Sequence, residues 1–314
     1  MFGNSLLQYA LSQPIWGVMG GVFALLTTCS LSFNLLKEKM NRSLQHELVR
    51  RTRSWWVMAA VFSIALWIHP ALTFTSVAFL SFVSLREYIS HSGMKIADRG
   101  LMAVCYLLIP VHYGLIYFGF EMAGYLFLPL AGFLLFPVGL VLQPGAKSSL
   151  ENVQKLYWGL ILCVYTVSHL VMLLELPAIG NATGKSMLLY VILITEANDV
   201  LQYTWGKIFG KRRILPRISP GKSWEGMLGG LGSTILVGAF LHFLIPVSGI
   251  WVWAIPAMLA LFGFFGDATI SVWKRTAGIK DSGDLIPGHG GMLDRIDSLI
   301  FTAPLFYFLM FTLS

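Results

Sequence analysis

Apolar stretches separated by short polar segments recur along the whole 314-residue chain. A helix needs about 20 apolar residues to cross a bilayer, and most of these stretches approach that length. They cover residues 14–36, 55–68, 71–85, 101–119, 122–142, 156–175, 187–204, 228–248, 250–270 and 299–314. The pattern predicts an all-α, polytopic integral membrane protein with about ten transmembrane helices.

Lysine and arginine are concentrated in five polar segments, which is typical of loops on the cytoplasmic side. These segments are 37–53, 86–100, 144–155, 205–222 and 271–295. Ten spans place all five on one face and both termini on the outer side. The short runs on either side of His69 and Pro70 form either a hairpin of two short helices or one broken span. We favour the hairpin, because a single span would move segment 37–53 to the wrong side.

The composition agrees with a membrane protein. Hydrophobic residues make up 56% of the chain and charged residues 12%, which argues against a water-soluble globule. Cytoplasmic loops account for the net charge of +7, so we expect the lipid bilayer and no nucleic acid as a partner. Cys29, Cys105 and Cys163 lie in apolar runs without CxxC spacing, which argues against a zinc site or a disulfide framework.

Acidic side chains that could carry chemistry are concentrated near the end of the chain. Asp267 follows a long apolar run, and an ionisable group at that depth indicates function. A helix that continues past the run places Ser271, Lys274 and Arg275 on the same face as Asp267. For each remaining aspartate the alternative is a solvated surface charge. These aspartates are Asp281, Asp284, Asp294 and Asp297.

The glycine-rich turn at 288–291 would let the backbone approach a ligand closely. Asp294 and Asp297 follow the turn at helical spacing. Two carboxylate clusters joined by a cation-rich loop suit Mg²⁺ with bound phosphates, because Mg²⁺ prefers oxygen ligands. The pattern is typical of phosphoryl or nucleotidyl transfer.

The stretch SVWKRTAGIKDSGDLIPGHGGMLDRID, from Ser271 to Asp297, resembles the signature of the phosphatidate cytidylyltransferase (CDP-diacylglycerol synthase) family. The likeness covers roughly residues 190–300. It implies that the phosphate of phosphatidate attacks the α-phosphorus of CTP, which gives CDP-diacylglycerol and pyrophosphate. It also suggests a homodimer.

The resemblance implies roles for individual residues. Mg²⁺ is the expected cofactor, with a second cation as an open alternative; Asp267 and Asp294 are the first candidates for its ligands, and Asp281 and Asp297 the next. The expected catalytic residues are Asp267, Ser271, Lys274, Arg275, Lys280, Asp281, His289, Asp294, Arg295 and Asp297. The expected substrate-binding residues are Ser219, Lys222, Asp199, Lys207 and Tyr203. His289 would donate a hydrogen bond to phosphate or serve the turn structurally, rather than act as a base.

A weaker match to the family runs from Tyr203 to Gly226. Ser219 and Pro220 suit the N-cap and first position of a helix, and the surrounding cations could cradle phosphates. The alternative is an ordinary positively charged cytoplasmic loop. Around Asp199 the side chains are bulkier than is usual for the family, which indicates a paralogue with a different lipid phosphate as acceptor.

The chain is therefore predicted to consist of an N-terminal transmembrane region, 1–186, and a catalytic transmembrane region, 187–314, with cytoplasmic loops 199–226 and 267–298. We expect it in a bacterial inner membrane with a cytoplasmic active site. One alternative is a CTP-dependent lipid or polyprenol kinase, which attacks the γ-phosphorus. Another is a transporter for anionic solutes, although the charges cluster at one membrane face rather than near the midplane.

Overall fold

The computed structural model of the chain describes residues 14–36, 42–94, 99–142, 150–180, 182–286, 288 and 290–313. Most of these residues are helical. The helices are α1 (Pro14–Leu36), α2 (Arg42–Ile68), α3 (Pro70–His91), α4 (Arg99–Tyr117), α5 (Glu121–Val141), α6 (Leu150–Leu160), α7 (Thr166–Met172), α8 (Gly184–Phe209), α9 (Trp224–Phe240), α10 (Trp251–Thr276), α11 (Leu293–Ile296) and α12 (Leu299–Leu313). A π-helical segment, Ile161–Tyr165, joins α6 to α7, and short 3₁₀ turns follow α7 and α9.

The predicted apolar runs fall largely on these helices. Within the described ranges, five helical segments are long and apolar enough to cross a membrane. They are Ile15–Ser32, Arg99–Tyr117, Gly124–Val141, Leu150–Glu175 and Trp251–Thr276. The chain is therefore a helical integral membrane protein, while the count of ten spans stays a prediction.

The break between the two short runs is a helix boundary. His69 caps the N-terminus of α3, because its Nδ1 accepts a hydrogen bond from the Ala71 backbone N–H at 3.1 Å, and Pro70 takes the first helical position. Residues 55–85 thus belong to two helices. Whether each of them crosses the membrane separately stays a prediction.

The segment from α6 to the end of α7 lies at the centre of the bundle. In the span 150–175, 72% of the residues are buried, against 11% in the span 15–32 of α1. α7 packs against α3 and α12, and α12 packs against α10. The central helices therefore join the N-terminal helices to those that carry the signature stretch at 271–297.

The loop between α8 and α9 contains a β-hairpin that the sequence did not predict. β1 (Arg213–Leu215) pairs antiparallel with β2 (Ser219–Ser223), so the fold is not purely helical. The prediction that Ser219 and Pro220 begin a helix is wrong, because both lie in β2. The N-cap is Ser223, whose hydroxyl accepts a hydrogen bond from the Gly226 N–H at 3.1 Å.

Helices α8 and α9 pack very closely because of glycines on α9. A methyl group at Gly230 would lie 2.9 Å from the Cα of Gln202, and one at Gly226 would lie 2.8 Å from the Gln202 carbonyl oxygen. The buried Asn198 on α8 donates to the Ala260 carbonyl oxygen of α10 and accepts from Thr234 of α9. These contacts hold α8, α9 and α10 together.

Candidate active site

Helix α10 continues past the apolar run to Thr276, which meets the condition under which the sequence placed Asp267 and Ser271 on one face, and it carries the first part of the site. Its residues Asp267 and Ser271 lie one turn apart, and the Ser271 hydroxyl donates to Asp267 Oδ1 at 3.1 Å. Lys274, one turn further on, is buried. A carboxylate, a hydroxyl and an ammonium group thus lie along the end of one membrane helix.

The β-hairpin brings a second cation to Asp267. Lys222 Nζ lies 2.8 Å from Asp267 Oδ2 and 4.2 Å from the centre of the Phe264 ring. The side chain of Lys222 is 13% exposed, and that of Asp267 is 31% exposed. Asp267 is therefore paired but still open to a ligand.

Lys274 forms a deeper ion pair with Asp294 on α11. Lys274 Nζ lies 2.6 Å from Asp294 Oδ1, and the side chains are 11% and 6% exposed. Asp294 Oδ2 accepts from the Ser282 N–H at 2.7 Å and the Gly291 N–H at 3.0 Å. Burial would raise the pKa of Asp294, but the Lys274 ammonium and these backbone donors outweigh it and hold the pKa below its ordinary value. Asp294 is therefore ionised at neutral pH.

Three further acids, Asp199, Asp297 and Glu196, interact with one another, and the first two also interact with Asp267. The Ser298 hydroxyl donates to Asp199 Oδ1 at 3.1 Å, and Asp297 lies one residue before Ser298. Burial, followed by the charges of Asp267 and Asp199, raises the pKa of Asp297 well above its ordinary value. Glu196 is half-buried one helical turn before Asp199, and its charge acts on Asp199. The site is thus crowded with carboxyl groups.

Gly266 explains how these acids come together. A methyl group at Gly266 would press on the carbonyl oxygens of Asp297 and Ser298. The lack of a side chain lets α10 approach the start of α12, and this contact brings Asp267 near Asp297.

The donor set suits a metal ion that is completed by substrate. Among the described residues, no three His, Cys, Asp or Glu side chains form a ready metal cluster. Mg²⁺ is commonly held by one or two carboxylates together with substrate phosphates and water. The oxygens of Asp267 and its neighbours are of the right chemical kind for such a site.

The other predicted residues are less closely tied to this cluster. Arg275 stabilises the turn of the β-hairpin, because its Nε donates a hydrogen bond to the Ile218 carbonyl oxygen at 3.0 Å. Lys207 lies 5.7 Å from the ring centre of Tyr203, and both side chains are exposed on α8. Ser219 is half-buried in β2.

The remaining predicted residues lie in or beside the signature loop, residues 277–292, which joins α10 to α11. Lys280 and Asp281 are exposed where the loop begins. The Nε of Arg295 is buried and has no hydrogen-bond partner among the described residues. His289 lies outside the described residues.

Sequence reasoning missed the contribution of the N-terminal helices. Glu87 on α3 accepts hydrogen bonds from the backbone at Met292 and Leu293. Arg50 and Arg51 of α2 lie beside Gly288 of the signature loop: a Cβ added at that glycine would lie 3.4 Å from Arg51 Cγ and 3.5 Å from Arg50 Cβ. Glu87 lies at the polar end of an apolar run, as Asp199 does. The reasoning that pointed to Asp199 could therefore have identified Glu87 as well.

The sequence is similar to known proteins over most of its length. A sequence model of the cytidylyltransferase family matches residues 49–313. The Escherichia coli K12 protein described as uncharacterized protein YnbB is 38% identical over 289 residues, which cover 91% of this chain and 95% of that protein. The family model begins to match well before residue 190. The likeness is therefore wider than the range of roughly 190–300 that the sequence motifs alone suggested.

Named enzymes match over a shorter stretch. The phosphatidate cytidylyltransferase of Haemophilus influenzae is 45% identical over 137 residues, which cover 41% of this chain and 48% of the relative. That of Pseudomonas aeruginosa is 38% identical over 162 residues, which cover 49% and 56%. The chain thus spans about half the length of the phosphatidate cytidylyltransferases that it matches.

Proposed function

Since the chain belongs to the cytidylyltransferase family, we propose that it transfers the cytidylyl group of CTP to the phosphate of a membrane lipid. Phosphatidate is the first acceptor to test, because the named relatives are phosphatidate cytidylyltransferases. The products would be CDP-diacylglycerol and pyrophosphate. A related lipid phosphate is the other acceptor, in view of the bulky residues around Asp199.

The observation that carries the proposal is the pair of lysine–aspartate contacts that α10 makes with β2 and α11. Lys222 meets Asp267 at 2.8 Å, and Lys274 meets Asp294 at 2.6 Å. On binding CTP, each lysine can exchange its carboxylate for phosphate oxygens. The exchange frees oxygens of both aspartates beside the triphosphate.

Those freed oxygens are the ones that would hold Mg²⁺, with Asp297 and Asp281 as further candidates. A cation bound there neutralises charge on the triphosphate and helps to orient it. A second cation bound by the same group of carboxylates is the open alternative. This chemistry needs no strong protein base, because the lipid phosphate is already anionic at neutral pH.

The protein's own part is to bind, orient and neutralise. A lipid phosphate oxygen attacks the α-phosphorus of CTP, a new P–O bond forms, and the bond from the α-phosphorus to the β-bridging oxygen breaks. Pyrophosphate leaves with the negative charge. Lys222 and Lys274 stabilise charge on the phosphates, and Ser271 holds Asp267 in place.

The proposed setting is a bacterial inner membrane with the site on the cytoplasmic face, where CTP is found. The distribution of lysine and arginine supports ten spans, with both termini outside. A homodimer is the proposed assembly. Accessibility of single cysteines introduced in segment 205–222, measured in intact cells and in broken membranes, tests the orientation.

The reaction is tested with purified protein in detergent, Mg²⁺, phosphatidate and CTP labelled at either the α- or the γ-phosphate. Transfer of the α-label to lipid and of the γ-label to pyrophosphate is expected. Transfer of the γ-label to lipid would instead identify a kinase. Absence of transfer to phosphatidate and to every other lipid phosphate in a panel would refute the proposal.

A further inference from the structure

Glu87 lies on α3, far in sequence from the catalytic region, yet its carboxylate contacts the signature loop at three points. Oε1 accepts from the Met292 N–H at 2.9 Å. Oε2 accepts from the Leu293 N–H at 2.9 Å and from the Ser282 hydroxyl at 2.9 Å. One side chain of the N-terminal half therefore holds both ends of this loop.

The same loop holds Asp294 in place. The Ser282 hydroxyl lies 2.9 Å from Glu87 Oε2 and 3.0 Å from Asp294 Oδ2, so the two carboxylates share one donor. The backbone N–H groups of Ser282 and Gly291 complete the contacts of Asp294 Oδ2. A chain of hydrogen bonds thus runs from Glu87 through the loop to Asp294 and then to Lys274.

The packing around Glu87 leaves little freedom. A methyl group at Gly291 would press on Glu87 Oε2 and the Ser282 hydroxyl, and one at Gly283 would lie 3.1 Å from Glu87 Oε1. The next residue, Tyr88, stacks on Trp273 of α10 with ring centres 4.8 Å apart and planes 19° apart. Helix α3 is therefore fixed against both the loop and α10.

We propose that Glu87 is a positioning residue of the active site, which sets the signature loop so that Asp294 and Lys274 are correctly placed before substrate binds. The inference rests on the proposed cytidylyl transfer for its effect on rate. A simple role in stability would lower the amount of folded protein but leave the turnover of each folded molecule unchanged. A positioning role lowers turnover itself, because small displacements of catalytic groups are costly.

The test uses the full-length protein and the variants Glu87→Gln and Glu87→Asp. Glutamine keeps the volume, but its amide nitrogen cannot accept a hydrogen bond. Aspartate keeps the negative charge, but its side chain is one methylene group shorter, so the carboxylate lies further from the loop. Glu151→Gln is the matched control, because Glu151 is an exposed acid on α6 that pairs with Lys155 at 2.6 Å. Three quantities are measured: kcat and KM for CTP, the Mg²⁺ concentration for half-maximal rate, and amide hydrogen exchange over residues 282–294.

In Glu87→Gln we expect kcat to fall by roughly 10- to 100-fold, with a higher requirement for Mg²⁺ and faster exchange in 282–294. The control should match the original protein in all three. Unchanged kcat and exchange in the glutamine variant would overturn the proposal, and so would a lower kcat with unchanged exchange. If glutamine prevents folding, the same criteria apply to Glu87→Asp. Amide hydrogen exchange is measured without substrate, so it does not depend on the proposed function. If the original protein shows no cytidylyl transfer but exchange is faster in the variant, the proposed function is rejected and the contact of Glu87 with the loop is still established.

Discussion

Lys274 Nζ lies 2.6 Å from Asp294 Oδ1, although the two residues are 20 positions apart and belong to different helices. The pair is buried, and three further donors from the loop surround the aspartate. Such a pair is stable only while both charges are present, because removing one leaves the other uncompensated. It therefore gives a sensitive point for testing the site.

Replacing either Asp267 or Asp294 with asparagine should lower cytidylyl transfer by roughly 100-fold or more, since each loses the charge that would hold Mg²⁺ beside the phosphates. The rate is measured as pyrophosphate release by folded protein. Glu151→Gln provides the control. Full activity in both aspartate variants would exclude the metal assignment.

Removing Lys222 should lower the catalytic efficiency with CTP. Lys222→Ala takes away the cation that contacts Asp267, and we expect kcat/KM for CTP to fall by about 10- to 100-fold. Lys185→Ala, at the N-terminal end of α8 and far along the chain from the hairpin, should change kcat/KM for CTP less than about twofold. Equal effects of the two substitutions would argue that only the overall charge matters.

Chelation should stop the reaction reversibly. With excess EDTA we expect no transfer of label from CTP to lipid, and added Mg²⁺ should restore the rate, because uncompensated triphosphate charge opposes attack. The measurement is a titration of rate against free Mg²⁺. Transfer that persists after exhaustive chelation would contradict a metal-dependent site.

The close contact of α8 and α9 should depend on Gly230. Gly230→Ala inserts a methyl group against the backbone of Gln202, so we expect a loss of about 1–3 kcal/mol in stability and a lower melting temperature in detergent. Gly232→Ala is the control on the same helix, because nothing lies within 4 Å of its added methyl group. Equal melting temperatures for the two variants would mean that the helices separate easily.

Local pattern was sufficient for the helices and for part of the site. Apolar runs of span length form helices in lipid because each helix satisfies its own backbone hydrogen bonds. The spacing of Asp267 and Ser271 placed them one turn apart on α10, and the structure confirms that this helix continues past the apolar run. The family assignment from the signature at 271–297 is also confirmed, while the roles of the individual site residues stay predictions.

The β-hairpin escaped prediction because strand pairing is not a local property. Ser219-Pro220 suits a helix start as well as a strand when only neighbouring residues are considered. Pairing with β1 decides in favour of the strand, and Ser223 becomes the cap instead. That pairing also directs Lys222 toward α10.

The sequence by itself determined that this is a helical membrane protein of the cytidylyltransferase family, and it identified the segment that carries most of the site's charges. Hydropathy, helical spacing and short motifs are local properties, so they can be read along the chain. The tertiary structure alone decided which charges meet: Lys222 with Asp267, Lys274 with Asp294, and Glu87 with the loop. Such contacts depend on how closely distant helices approach, and that distance is set by glycines and packing rather than by any pattern near the charged residues themselves.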